Sequence, residues 1–269
     1  MSNRIQRQYS GFLNTPYLWK DDLYGLQHFK FEDTIAITIA DTINYNRRLG
    51  KRVEQFLNVQ LEHSKDINIL AENIQIKKDR ETIGELDMLF LQNHQPIHLE
   101  IAYKFYLFDP NYIRKQTLDC WIGPNRKDHL SLKIKKLKEK QLPLLYHPEC
   151  KSALHQLGLS SDDIIQKICF KAQLFVPLKI DAIDISPLNK DCIYGFYLNQ
   201  NNRILLEGYE LYIPEKLDWL IEPHLSVQWD TYTNLKAELD ALLESKRSPM
   251  LWLKDKNGSL QKCFVTWWS

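Results

Sequence analysis

The sequence predicts a mixed α/β fold. Its core is a helix, a three-stranded antiparallel meander, a second helix and one more strand, and an elaborated mixed α/β C-terminal half follows. Three observations carry this expectation. Residues 84–90 and 98–106 alternate with period two: Leu86, Met88 and Phe90 share one face of the first arm, and Leu99, Ile101, Tyr103 and Phe105 share one face of the second. Val53, Phe56, Leu57 and Leu61 recur at helical spacing ahead of these arms, as Leu130, Ile134 and Leu137 do behind them. Residues 67–78 alternate less regularly between the first helix and the hairpin.

With 269 residues, 44% of them hydrophobic, the chain can bury a sizeable core. A net charge of +1 provides no global attraction for nucleic acid, so any basic surface must be local. Cys120, Cys150, Cys169, Cys192 and Cys263 are dispersed without a C-x-x-C, as expected of reduced thiols. Residues 1–6 lack the apolar run of a secretion signal, and no stretch approaches the roughly 18 apolar residues of a membrane span. A cytoplasmic protein without a membrane partner is the expectation.

In chain order, residues 1–48 are aromatic and mixed in charge and read as a helical segment packing on the core. Asn46 and Gly50 mark a loop into the helix over 49–64, with Glu54 on the flank of its buried stripe. The strand over 67–78 and the charged turn at 77–81 lead into the hairpin, which the polar linker 91–97 closes. Asp109-Pro110-Asn111 breaks the chain, and Gly123-Pro124-Asn125 makes a turn. Asp128 is the expected cap of a helix over 128–141. The core thus covers 49–145, and 146–269 is expected to pack with it as one unit. In that half, 168–174, 176–178 and 191–198 read as strands, and 203–213 as a partner for the last of them. Residues 232–245 read as a helix, and 250–253 with 260–267 as a hairpin across Asp255-Lys256-Asn257-Gly258. Trp252, Trp267 and Trp268 read as core.

The polar face of the first hairpin carries the chemistry. With the turn centred between Asn93 and His94, Leu89 faces His98 and Asp87 faces Glu100. Directly opposed residues have Cβ atoms about 5 Å apart, and two carboxylates there repel unless a cation or a proton separates them. Lys104 lies on the same face about 13 Å beyond Glu100 by strand rise, and small Ala102 leaves room for it to lean back. Two acids and a lysine so arranged suit metal-assisted hydrolysis of a phosphodiester, while a solvated sheet face explains the same alternation. Between Arg126 and Lys140 there are seven Lys or Arg against two acids, and Lys133, Lys136 and Lys140 share a helical face. Such a face attracts phosphate backbones, or is merely solvated. The loop of Gly123 to Arg126, with Asn125, could approach a phosphate or be a plain turn. His147, Glu149, Cys150 and His155 match no zinc spacing, and there is no Gly-rich phosphate loop, G-x-S-x-G or H-E-x-x-H.

The string G-E-L-D at Gly84–Asp87 with H-L-E-I-A-Y-K at His98–Lys104 resembles the core of the PD-(D/E)XK, or restriction-endonuclease-like, nuclease superfamily. Glu100 to Leu107, Trp121 to Asn125, Gln141 to Leu144 and Leu217 to Leu220 further resemble one bacterial branch of it, domain-of-unknown-function family 1853. The resemblance implies a restriction-endonuclease-like core and metal-dependent cleavage of nucleic acid, DNA in the first instance. It implies that Asp87 and Glu100 bind Mg²⁺ or Mn²⁺, with the Ile101 carbonyl as a further ligand and Glu54 auxiliary. Lys104 then orients or deprotonates the water or stabilises charge on the phosphate. Asn125, Arg126, Lys133, Lys136 and Lys140 are the corresponding nucleic-acid contacts. The superfamily spaces acid and lysine as E-x-K, whereas Ala102 occupies that lysine's place here and Lys104 is four residues from Glu100. Hence a catalytically inactive member binding nucleic acid or a protein partner is the alternative, and a structural subunit with a Glu100–Lys104 ion pair a third.

Overall fold

Alternation over the central third of the chain becomes three long strands in the computed structural model, which describes residues 2–31, 37–39, 43, 48–112, 117–179 and 183–269. In chain order the elements are α1 Ser2–Asn14, α2 Leu49–Glu62, β1 Ile67–Lys78, β2 Glu81–Gln92, β3 Gln95–Phe108 and α3 Leu130–Lys136. Then come α4 Cys150–Gln156, β4 Ile165–Pro177, β5 Ile193–Asn199, β6 Glu210–Tyr212, α5 Tyr232–Glu244, β7 Met250–Lys254 and β8 Leu260–Thr266. No helix among the described residues is long and apolar enough to cross a membrane. All five cysteines are free thiols.

The chain divides into two compact units, neither of them contiguous: Tyr17–Tyr103 with Leu132–Lys171, and Met1–Pro16 with Lys104–Ser131 and Ala172–Ser269. Each of the sequence segments 1–48, 49–145 and 146–269 contributes to both units. Asn46, expected to mark the loop before α2, lies outside the described residues.

In the first unit, β1 pairs antiparallel with β2, and β2 with β3. The second pairing runs from Gln92↔Gln95 through Leu89↔His98 to Met88↔Leu99, the register expected from the hairpin pattern. Its turn is only Asn93-His94, both at positive φ (47° and 68°), so the strands extend through most of the expected linker. That pair of left-handed residues matches the twist of the flanking strands, and Asn and His are among the side chains that tolerate it. The stripe of α2 is buried as its spacing requires, through Val53, Phe56, Leu57 and Leu61. Ile76, Leu86, Leu89, Leu144, Leu145, Cys150, Leu154 and Ile164 form one core cluster. Gly84 belongs to this packing: a Cβ there would lie 2.5 Å from Leu144 Cδ2.

The helix expected over 128–141 differs at both ends. It starts at Leu130, because Asp128 uses its carboxylate elsewhere, and its regular α-helical part stops at Lys136. Residues Leu137–Gln141 form a wider π turn, and Leu142–Tyr146 a tight 3₁₀ turn with Pro143 near its start. Proline has no N–H to continue a helical ladder, which fits the change of winding.

In the second unit the strand pairing is mixed. β5 runs parallel to both β4 and β8, while β7 is antiparallel to β8 and to β6. The C-terminal hairpin and α5 form where the pattern placed them. Their core gathers Leu198, Leu211, Leu239, Leu243, Leu251, Leu253 and Val265. Trp252 and Trp268 are buried, and Trp267 packs against this cluster half-buried. One expectation is corrected: residues 203–213 are not a strand. Gln200–Gly208 is a 3₁₀ run, begun where the Asn199 side chain accepts the Asn201 N–H, and only Glu210–Tyr212 is extended. Leu206 is the one fully buried residue of that run, so alternation across it signified no sheet face.

Candidate functional site

The site lies in the first unit, where β2 and β3 leave their regular ladder. The paired register ends at Met88↔Leu99, one residue short of Asp87 on one strand and of Glu100 on the other. There Asp87 Oδ2 accepts the Ile101 backbone N–H at 2.8 Å, so a side chain takes the place of a ladder carbonyl. Glu100 is 1% exposed. Burial and then the neighbouring Glu100 charge push the Asp87 carboxyl up to about 7. Glu54 adds to this, and the Ile101 amide and Lys133 oppose it.

Glu100 is met by a carboxamide and an imidazole. Gln141 Nε2 donates to its Oε2, and His98 Nε2 lies 3.2 Å from its Oε1. Gln166 Nε2 donates to the Leu142 carbonyl at 2.7 Å and approaches His98 Nδ1 at 3.0 Å. The His98 imidazole thus sits between the Gln166 carboxamide and the Glu100 carboxylate. Beyond Gln141, Lys133 Nζ donates to Gln141 Oε1 at 2.7 Å. The π turn makes this contact. In an unbroken α-helix Lys140, seven residues on, would share the face of Lys133, and widening one turn brings Gln141 into that place.

On the other flank, Lys51 of α2 donates to Glu54 at 2.7 Å, to Glu85 at 3.2 Å and to Asn73. Burial alone would lower the Lys51 pKa, but its bonds to Glu54 and Glu85 outweigh this and raise it. Asn73 lies within β1 at φ 52°, a conformation that strains most side chains and that this short polar residue tolerates. Glu54 is thus near enough for its charge to act on Asp87. Among the described residues neither Asp87 nor Glu100 has a Lys or Arg ion-pair partner, and no three His, Cys, Asp or Glu side chains form a group that could hold a metal by themselves.

The other residues singled out by sequence go elsewhere. Lys104 Nζ is bonded to Asp128 Oδ2 at 2.6 Å in the second unit, so it forms no ion pair with Glu100. Asn125 Oδ1 accepts the Ser248 N–H, and Arg126 pairs with buried Asp109 at 3.1 Å while lying over the Trp268 ring. The loop at 123–126 is a plain turn, closed by the Arg126 N–H on the Gly123 carbonyl. Lys136 and Lys140 are exposed, and Lys133 is half-buried. Sequence reasoning missed Gln141, His98, Gln166 and Lys51. The spacing His98-x-Glu100 was readable as two groups on one strand face, but nothing in the sequence marks the π turn that delivers Gln141.

The family described as domain of unknown function, DUF1853, matches residues 25–263. No curated protein and no solved structure matches the chain.

Proposed function

The chain belongs to this family of unknown function, and from that premise we propose that it is a metal-dependent phosphodiesterase acting on nucleic acid, DNA in the first instance. One observation carries the reading: half-buried Asp87 accepts the amide of Ile101, next in the chain to buried Glu100, close enough for the Glu100 charge to act on it, and among the described residues neither acid has a Lys or Arg ion pair. Leaving such a pair ionised is costly, and a divalent cation removes that cost. The donor set fits Mg²⁺ or Mn²⁺ in a particular way. Magnesium is commonly held by one or two carboxylates, with waters and substrate phosphate oxygens completing its octahedron, so two protein ligands suffice. Asp87 and Glu100 would hold the ion, with the Ile101 carbonyl and Glu54 beside them.

When bound, the ion supplies an acidified water and stabilises charge on the phosphate. The protein's own part is positional. The Ile101 amide fixes one Asp87 oxygen, and His98 and Gln141 fix both oxygens of Glu100, so neither carboxylate must reorganise on binding. In the reaction, water oxygen adds to phosphorus, the P–O ester bond breaks, and the leaving oxygen gains a proton. Exposed Lys136 and Lys140 supply phosphate-backbone attraction.

A second reading is favoured by the place of Lys104. With its ammonium on Asp128, and with Asn125 and Arg126 engaged in the second unit, the chain would be a non-catalytic binder of nucleic acid or of a protein partner. Metal titration with mixed DNA and RNA substrates separates the two. Mg²⁺ is expected to raise the melting temperature by mass action and to support cleavage. Asp87→Asn should lose the metal response and at least about a hundredfold in rate while still folding. A parent protein with neither response excludes the enzyme.

A further inference from the structure

In the second unit β5 runs parallel to β4 on one side and to β8 on the other. The last pairs, Pro177↔Tyr197 and Asn199↔Thr266, set the carboxyl ends of the three strands side by side. Beyond those ends lies a cavity of about 220 Å³, whereas a single water needs only about 10–15 Å³. Crevices beyond the carboxyl ends of parallel strands are where open sheets bind ligands. The inner wall here is aromatic. Tyr197 donates its hydroxyl to the Phe108 carbonyl at 2.7 Å, and Trp268 its indole N–H to the Pro124 carbonyl at 2.8 Å. With their polar ends bonded elsewhere, both buried side chains offer the cavity ring surface, and their centroids are 5.6 Å apart, so the surface is continuous. Asp109 also lines the cavity, and Arg126 pairs with it while lying over the Trp268 ring, so this carboxylate does not repel an anion. The rim differs in character: Asn111, Lys179, Asn202 and Leu205 are exposed there.

We propose that this cavity binds a nucleobase that carries a phosphate. The base stacks on the Tyr197–Trp268 wall, as unpaired bases do on aromatic side chains. The carboxamides of Asn111 and Asn202 each supply donors and an acceptor for the mixed hydrogen-bonding edge of a base. The ammonium of Lys179 meets the phosphate as a point charge. A wholly apolar ligand would use neither carboxamides nor ammonium, and a sugar phosphate lacks the flat face that the wall fits. A free mononucleotide and an unpaired base of a single strand share this chemistry. The lining residues all belong to the second unit, and none of these contacts needs a metal, so the inference does not rest on the phosphodiesterase reading.

The test uses the full chain in EDTA. It is titrated calorimetrically with the common ribonucleoside monophosphates, with ribose 5-phosphate, and with a single strand of about eight nucleotides of mixed sequence. At least one mononucleotide should bind about tenfold or more tightly than ribose 5-phosphate, the contribution of one stacked base. Two exposed rim positions probe the site without disturbing the buried wall, and their variants should keep the parent melting temperature. Leu205→Asp sets a carboxylate at the mouth and should weaken mononucleotide binding about tenfold or more. Lys179→Ala should weaken it about threefold or more, and should make the salt dependence of strand affinity shallower by about 0.7 unit. A strand that binds at least about tenfold more tightly than any mononucleotide assigns the pocket to single-stranded nucleic acid. Equal binding assigns it to free mononucleotides, and either result upholds the proposal. It is overturned if no mononucleotide and no strand binds, if ribose 5-phosphate binds as tightly as the mononucleotides, or if both rim variants bind like the parent. Each of these failures leaves the phosphodiesterase reading standing, because no step of it uses this pocket.

Discussion

The two units treat their buried acids in opposite ways. In the second, Asp109 is paired with Arg126 and accepts the Asn111 N–H, and Asp218 is met by both Arg4 and Gln8. In the first, Asp87 and Glu100 receive an amide N–H, an imidazole and a carboxamide, with no guanidinium or ammonium of the described residues directly on either. An acid serving only the fold is expected to have its charge cancelled where it is buried, because an unpaired buried charge costs several kcal/mol. Amide and carboxamide donors satisfy the lone pairs and fix the geometry but leave the charge. That contrast is what the proposed role of Asp87 and Glu100 as ligands of a cation requires.

Removing a structural cation should give the largest effect on stability. Arg126→Ala leaves Asp109 buried without its counter-charge and uncovers the Trp268 ring. Loss of about 3 kcal/mol is expected in urea unfolding, with Arg126→Ala plus Asp109→Asn recovering part of it. If the single variant is as stable as the parent, cancelled charge is no mark of a structural acid here.

A pH series sharpens the other side of the comparison. The Asp87 carboxyl titrates near 7 in the folded protein, above its ordinary range, so the folded state holds this proton more tightly than the unfolded chain. The stabilisation is thus fully present below the unfolded value near 4 and is lost as pH rises towards 7 in metal-free protein. Asp87→Asn should flatten the melting-temperature profile across that window, and Mg²⁺ should restore stability at its upper end. Identical parent and variant profiles would mean that Asp87 is already compensated.

The smallest effect is expected on the exposed face. Lys136→Ala with Lys140→Ala should alter stability by no more than about 0.5 kcal/mol. The slope of log affinity for DNA against log salt should become shallower by about one unit per lost phosphate contact. An unchanged slope would make this helix a solvated surface.

Much of this architecture is legible locally. Period-two alternation with a two-residue turn set the hairpin and its register from Gln92↔Gln95 to Met88↔Leu99. A change to helical spacing set α2 and α5, because a buried stripe is written in the periodicity of the chain that forms it. Alternation failed at 203–213, where side chains alternate without a sheet face to bury. Only the tertiary structure decided which lysine joins the carboxylates. Lys104 is nearest in the motif, yet its ammonium reaches Asp128, 24 residues on. Lys133 meets Glu100 through Gln141 because one turn of helix winds wider than its neighbours, a difference of winding that no residue pattern announces. Strand register propagates from neighbour to neighbour and so can be read along the chain, whereas the partner of a long flexible cation depends on what the whole fold brings within its reach.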